Sequence, residues 1–178
     1  MRAKALRLPK KKMTNTEIYE KLRSAFGEKI GDWHEQTGSD YMKRMSSYAD
    51  VSDTGYIRDV CLFLRDEPEM EFDSLLLLSS LDNGDKTLSV VYHLESKSKK
   101  QHFALKVTVP SETAVVPSVT GVWAHANWQE REAWDMMGIK FLNHPDMRRI
   151  LLDEDWVGHP LRKEYKHPEF YRGMKVPY

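Results

Sequence analysis

Residues 130–165 limit what this chain can fold into more than any other stretch, because they cannot bury a core by themselves. The segment opens Glu130-Arg131-Glu132-Ala133-Trp134-Asp135-Met136-Met137-Gly138-Ile139-Lys140-Phe141. It continues Asn143-His144-Pro145-Asp146-Met147-Arg148-Arg149-Ile150-Leu151-Leu152, then Asp155-Trp156, Gly158-His159-Pro160-Leu161-Arg162-Lys163 and Glu164-Tyr165. Paired charges, tryptophan, proline and glycine are dense, and after Gly138 neither the helical nor the strand period holds. Pro145, Pro160, Pro168 and Pro177 interrupt regular structure further. Such a segment needs something else to dock on, so the question is what precedes it.

The residues from 14 to 138 read as one α+β domain. Thr14-Asn15-Thr16-Glu17 is a capping box, in which the Thr14 hydroxyl accepts from the Glu17 amide and the Glu17 side chain reaches back. Ile18, Leu22, Ala25 and Phe26 follow at helical spacing, and Gly27 supplies the stop. A short strand is expected around Trp33–Thr37. A second helix starts near Ser52-Asp53, with Ile57, Val60, Cys61 and Leu64 as its apolar stripe and Pro68 beyond its end. Phe72 to Leu81 is a nearly continuous apolar run, which predicts a strand buried on both faces. Asp82-Asn83-Gly84-Asp85 is a turn. Leu88, Val90, Tyr92 and Leu94 alternate, as do Phe103, Leu105, Val107 and Val109 before Pro110. Three strands in sequence form an antiparallel meander covered by helices, a variant of the ferredoxin-like sandwich. A short helix is expected from Pro117 through Trp123. Asn127-Trp128-Gln129-Glu130 then resembles a second capping box, opening a helix that runs to Met137 and stops at Gly138.

Composition removes several functions. Lys plus Arg and Asp plus Glu both number 27, so no global charge steers the chain toward nucleic acid or an acidic lipid surface. A single cysteine, Cys61, excludes an internal disulfide framework and fits a reducing, cytoplasmic compartment. No apolar run approaches the roughly 20 residues that span a bilayer. Residues 1–13 form a basic N-terminal tail: a solvated extension, a docking arm or an organelle presequence. His125, His144, His159 and His167 lack the close pairing of a zinc site, and neither a Gly-x-Gly-x-x-Gly nor a phosphate loop is present.

The candidate site residues weigh toward structure. Glu132 and Asp135 share a helix face and, with Glu130, are a conceivable acid/base set, with His144 as a further partner in a hydrolase reading. Glu130 can instead close the capping box, and Arg131 can pair with Asp135 at i, i+4. Trp123, Ala126, Glu130, Trp134 and Met137 trace one stripe, which places Glu130 on the apolar face. There it needs a cation, because removing one partner of a buried pair costs roughly 3–5 kcal/mol. Arg148, Arg149 and Arg162 are the candidates. Arg148-Arg149 and Arg162-Lys163 read as interface charges, and Trp128, Trp134 and Trp156 as core or interface anchors.

The pattern Glu130-Arg131-Glu132-x-Trp134-Asp135-Met136-x-Gly138-Ile139-x-Phe141, with His144-Pro145, Arg149-Ile150-Leu151, Asp155-Trp156, Gly158, Pro160-Leu161-Arg162-Lys163 and Tyr165, resembles one family closely. That family is the C-subunit of NADH:quinone oxidoreductase, respiratory complex I. The closing Phe170-Tyr171-x-Gly173-Met174 is similar to it too. Met137, Met147 and Glu164 stand where that family favours an aromatic, a leucine and an aspartate, each keeping its physical character. The resemblance implies a hydrophilic, non-catalytic subunit of the peripheral arm on the cytoplasmic face of the inner membrane, touching the membrane only through the complex. It implies as partners the large subunit that helps form the quinone pocket and the adjacent iron–sulfur subunit, with iron–sulfur clusters, flavin mononucleotide and quinone held by partners. The same module recurs in membrane-bound [NiFe]-hydrogenases and related ion-pumping dehydrogenases, so that setting stays open. On this reading residues 139–178 are an extended docking arm. Phe141, Ile150, Leu151, Leu152, Trp156, Leu161 and Tyr165 are its apolar anchors, set among Arg148, Arg149, Arg162 and Lys163.

Overall fold

The computed structural model describes residues 12–36 and 47–176; most of the expected basic tail lies outside them. Helix α1 (Asn15–Phe26) begins at the expected capping box: the Thr14 hydroxyl accepts from the Glu17 amide, and Glu17 accepts from the Thr14 amide at 2.7 Å. Its buried residues are Ile18 and Leu22, whereas Ala25 points outward, so the buried stripe is narrower than its spacing implies. Gly27, at φ +61°, ends the helix.

Strand β1 (Ile30–His34) lies slightly earlier than the Trp33–Thr37 expectation. Strand β2 (Tyr48–Val51), which the sequence pattern does not announce, pairs antiparallel with it. Four residues with only two fully buried side chains carry too little pattern to mark a strand. Asp53 caps a single 3₁₀ turn through the Gly55 amide, and helix α2 (Ile57–Asp66) follows. Its stripe of Ile57, Val60, Cys61 and Leu64 is wholly buried, as the spacing requires.

The meander is present: β3 (Ser74–Asp82), β4 (Thr87–Ser96) and β5 (Gln101–Pro110) pair antiparallel, β4 with β5 in continuous register and β3 with β4 across one shift between Leu75 and Leu77. The five-stranded sheet has the order β1-β2-β5-β4-β3, and β2 runs parallel to β5. The alternating residues of β4 and β5 are buried and form one core with the buried faces of α1 and α2. This is the α+β architecture the element order predicts.

Strand β3 corrects the expectation of two buried faces. It lies at the sheet edge, and Leu76, Leu77 and Leu81 are exposed. A continuous apolar run cannot distinguish a central strand from an edge strand, because strand order is set by the whole sheet.

The segment after β6 (Val115–Pro117) forms turns instead of the expected short helix, with the Val122 and Trp123 amides both donating to the Val119 carbonyl. Helix α3 (Ala126–Met137) is preceded by His125 without a side-chain cap, so Asn127 lies inside the helix and no second capping box forms. Strand β7 (Lys140–Leu142) pairs parallel with β6, and Ile139 and Phe141 belong to the core. The domain therefore continues past the expected boundary at Gly138. Phe141 is a core residue, not an anchor of the arm.

Candidate functional site

Helix α3 and the chain beyond β7 form one unit, and the chemistry of a helix end explains why. The last carbonyls of an α-helix have no partner inside it. In α3 all four are met. The Trp134 carbonyl accepts from the Gly138 amide at 2.8 Å. The Asp135 carbonyl accepts from His159 Nδ1 at 3.0 Å and Arg149 Nη1 at 3.2 Å. The Met136 carbonyl accepts from the Leu161 amide at 3.1 Å, and the Met137 carbonyl from Arg162 Nε at 2.7 Å. Two of these donors are guanidinium groups, the charge a helix C-terminus favours. Gly138 (φ +74°) permits the approach: a Cβ there would lie 2.6 Å from His159 Nε2.

The Asp135 carboxylate is the second anchor. It is fully buried. Oδ1 accepts from Arg149 Nη1 at 2.6 Å, and Oδ2 accepts from the amides of Ile150, Leu151 and Leu152 at 3.0, 2.8 and 3.1 Å. Burial alone raises its pKa, but the Leu151, Leu152 and Ile150 amides and the Arg149 guanidinium outweigh that and hold it below the usual carboxylate range. Arg149 also donates to the Trp156 and Gly158 carbonyls at 2.9 and 3.0 Å and lies over the Trp134 ring. The expected Arg131–Asp135 pair does not form, since Asp135 takes Arg149. Arg131 is buried and donates to the Arg148 carbonyl at 3.1 Å, with its guanidinium over the Trp128 ring.

Glu130 is fully buried, as the stripe predicts, but it lacks the expected cation among the described residues. Its Oε1 accepts from the Val119 amide at 2.7 Å and its Oε2 from the Ser118 hydroxyl at 2.6 Å. Arg148 pairs with Asp146, Arg149 with Asp135, and Arg162 serves the Met137 carbonyl. Burial pushes Glu130 up to about 7, against the opposing pull of Ser118 and Val119. A carboxyl that can hold its proton needs hydrogen-bond partners and not a counter-charge. Little in the sequence singles out Ser118; the one local signal is the Ser118-x-Thr120 hydroxyl pair.

The acid/base set does not assemble. Glu132 is exposed, Asp135 is committed to the returning chain, and both ring nitrogens of His144 are engaged, by the Asn127 carbonyl and the Asp146 amide. Cys61 is buried and its thiol pushed upward, which fits its place in the core. Among the described residues no cluster of three His, Cys, Asp or Glu side chains is arranged to hold a metal ion.

Farther along, Trp156 Nε1 donates to the Tyr165 hydroxyl at 3.0 Å, and the Trp156 ring packs on Tyr171. The Tyr171 hydroxyl donates to Asp155 at 2.6 Å, and Arg172 grips the same carboxylate with two nitrogens at 3.1 and 2.9 Å. The hairpin of β8 (Phe170–Tyr171) and β9 (Met174–Lys175) is thereby latched to the 153–156 turn. Sequence pattern reveals neither this latch nor the role of His159, because their partners lie more than a dozen residues away. Polar bonds hold the segment in place; Met147 packs against the core, whereas Leu151, Val157, Leu161, Phe170 and Met174 face outward and are all at least 58% exposed.

The chain is similar to known proteins along most of its length. A family model described as the respiratory-chain NADH dehydrogenase 30 kDa subunit matches residues 51–171. The chain is 41% identical over 162 residues to the NADH-quinone oxidoreductase C-subunit of Chlorobium phaeobacteroides, covering 90% of this chain and 93% of that protein. It is 38% identical to the C-subunit of Chloroherpeton thalassium, covering 90% of this chain and 64% of the relative. Two solved structures share the fold at 24% identity. A trypsin-resistant fragment of Nqo5 aligns with a TM-score of 0.56, over 75% of this chain and 99% of that one. A chain of the membrane-bound sulfane sulfur reductase, an archaeal respiratory membrane complex, aligns with 0.64 over 85% of each. By the family match and the breadth of its similarity to the Chlorobium protein, the chain belongs to the 30 kDa subunit family of respiratory-chain NADH dehydrogenase.

Proposed function

We propose that this chain is a non-catalytic subunit of the peripheral arm of a proton-translocating NADH:quinone oxidoreductase. Its C-terminal segment scaffolds the large subunit of the quinone pocket, with the adjacent iron–sulfur subunit as a second neighbour. Electrons pass from NADH to quinone through flavin and iron–sulfur clusters held by other subunits of the complex, on the cytoplasmic face of the membrane. Among the described residues no helix is long and apolar enough to cross a membrane.

One observation carries this reading. Residues 143–176 are stapled to α3 by carbonyl, carboxylate and guanidinium contacts, and they present Leu151, Val157, Leu161, Phe170 and Met174 to the outside. A row of exposed apolar side chains on a polar-anchored scaffold is a surface made for a partner. The segment docks on its own helix first and offers the result outward, which pre-pays part of the ordering entropy of association.

The test is purification of the native complex through a tag on this chain, with the co-purifying subunits identified by mass spectrometry. Wild-type chain is expected to bring down the quinone-pocket and iron–sulfur subunits in equal stoichiometry, and Trp156→Ala to retain much less of both. Co-purification with a hydrogenase large subunit, or normal stoichiometry from Trp156→Ala, overturns the assignment or the role of the segment respectively.

A further inference from the structure

A cluster of exposed leucines outside the C-terminal segment lies on β3. This strand closes one edge of the sheet, so its outer backbone groups lack a neighbouring strand. Natural edges are usually blunted by charge or covered. Here the edge carries Leu76, Leu77 and Leu81, and Leu77 is 50% exposed. A register shift between Leu75 and Leu77 marks a bulge, and the Leu76 carbonyl is met by Gln129 Nε2 of α3 at 3.3 Å. Beside it, between β3 and α3, lies a trough of about 320 Å³. Leu77, Ser79, Glu132, Met136 and Leu161 are among its lining residues.

Two polar groups in the trough are acceptors left without a donor. Glu132 has no cation partner among the described residues, and Gln129 Oε1 is buried without a donor. Both want donors. A second copy of this chain is a poor occupant, since a two-fold contact would set the same acceptors against each other. The complement is an extended segment with apolar side chains at alternate positions and a lysine or arginine at Glu132.

We propose that the trough beside β3 is a docking site for an extended, apolar segment with a basic residue, supplied by a neighbouring subunit and added to the sheet as a strand along β3. This is the augmentation mode of recognition, in which main-chain hydrogen bonds supply affinity and alternate side chains supply specificity. It rests on the reading of the chain as a subunit of a multi-protein complex. Leu161 lines both this trough and the exposed face of the C-terminal segment, so the two surfaces form one continuous contact area.

The experiment replaces Leu77 with a photo-reactive phenylalanine analogue in the native complex. The complex is irradiated and the attached peptide sequenced. The expected adduct is an extended segment of a partner subunit holding lysine or arginine. Glu132→Lys is expected to lower retention of this chain in the complex about tenfold, the loss of one good interfacial charge contact. The reverse charge change at the cross-linked basic residue is expected to restore it. Adducts only to residues 1–11 of this chain, adducts to a second copy, no adduct in an intact complex, or no rescue by the charge swap each overturn the docking site while leaving the family membership and the complex standing. A chain that joins no respiratory complex at all overturns both the docking site and the proposed function.

Discussion

The sharpest consequence of the structure concerns Glu130 and the substitution Glu130→Gln. In the folded chain the carboxyl is fully buried and its pKa is raised from 4.5 to about 7. Between those values the folded state binds more protons at this site than the unfolded state does. Stability must therefore fall as pH rises through that window. At about 1.4 kcal/mol per pH unit, the wild-type chain loses roughly 3 kcal/mol from this group between pH 4.5 and pH 8. The Gln side chain does not titrate. Its amide oxygen can accept from the Val119 amide, and its NH₂ can donate to Ser118 Oγ, which is free to turn toward Thr120 Oγ1 at 2.8 Å. Cys61 and Tyr92, both of which feel the Glu130 charge, are pushed upward by burial and stay neutral throughout the range. Urea unfolding of both proteins at about pH 5, 6, 7 and 8 isolates the effect, because every other titrating group cancels in the difference. The variant is expected to match the wild type near pH 5 and to exceed it by about 2.5 kcal/mol at pH 8. Parallel profiles, or a wild type that gains on the variant as pH rises, would refute the reasoning and restore a charged Glu130 with a cation partner.

Asp135→Asn removes the charge that gathers three amides and Arg149. It is expected to cost roughly 3–5 kcal/mol and to free residues 150–176, seen as protease cleavage there while the sheet stays resistant. The pKa of Asp135 is depressed, so its contribution is present above its unfolded value of 3.8 and lost as pH falls through the lower folded value; the same protease assay in acid should show the segment released first. Truncation after Leu142 is expected to leave a cooperatively folding domain, whereas truncation after Gly138 takes Ile139 and Phe141 from the core, each worth roughly 2–5 kcal/mol, and should abolish the thermal transition. Gly138→Ala forces a Cβ toward His159 and Arg162 at a positive φ and should destabilise by more than about 1 kcal/mol, read from the urea midpoint.

The features legible in the sequence are local ones. The Thr14–Glu17 box and the stop at Gly138 rest on contacts within a few residues, and the α2 stripe through Cys61 and the alternation in β4 and β5 are periodicities of a single element, so short-range pattern reveals them all. The motif of residues 130–165 is specific enough to point to the family. Tertiary structure decided everything that depended on competition between distant partners. Arg131 and Asp135 have the spacing of an ion pair, yet Asp135 takes Arg149 and three amides from 14 to 17 residues downstream, because four donors converging on one buried carboxylate outweigh one surface-type pair. Glu130 takes Ser118 and Val119 from upstream, because a neutral carboxyl is less costly to bury than a charged pair. The same leucine-rich run that reads as a central strand became an edge, since pairing order is a property of the whole sheet and no single strand encodes it. The C-terminal segment, which by its own pattern has nothing to fold on, found the unpaired carbonyls at the end of α3, and only the folded chain brings those two together.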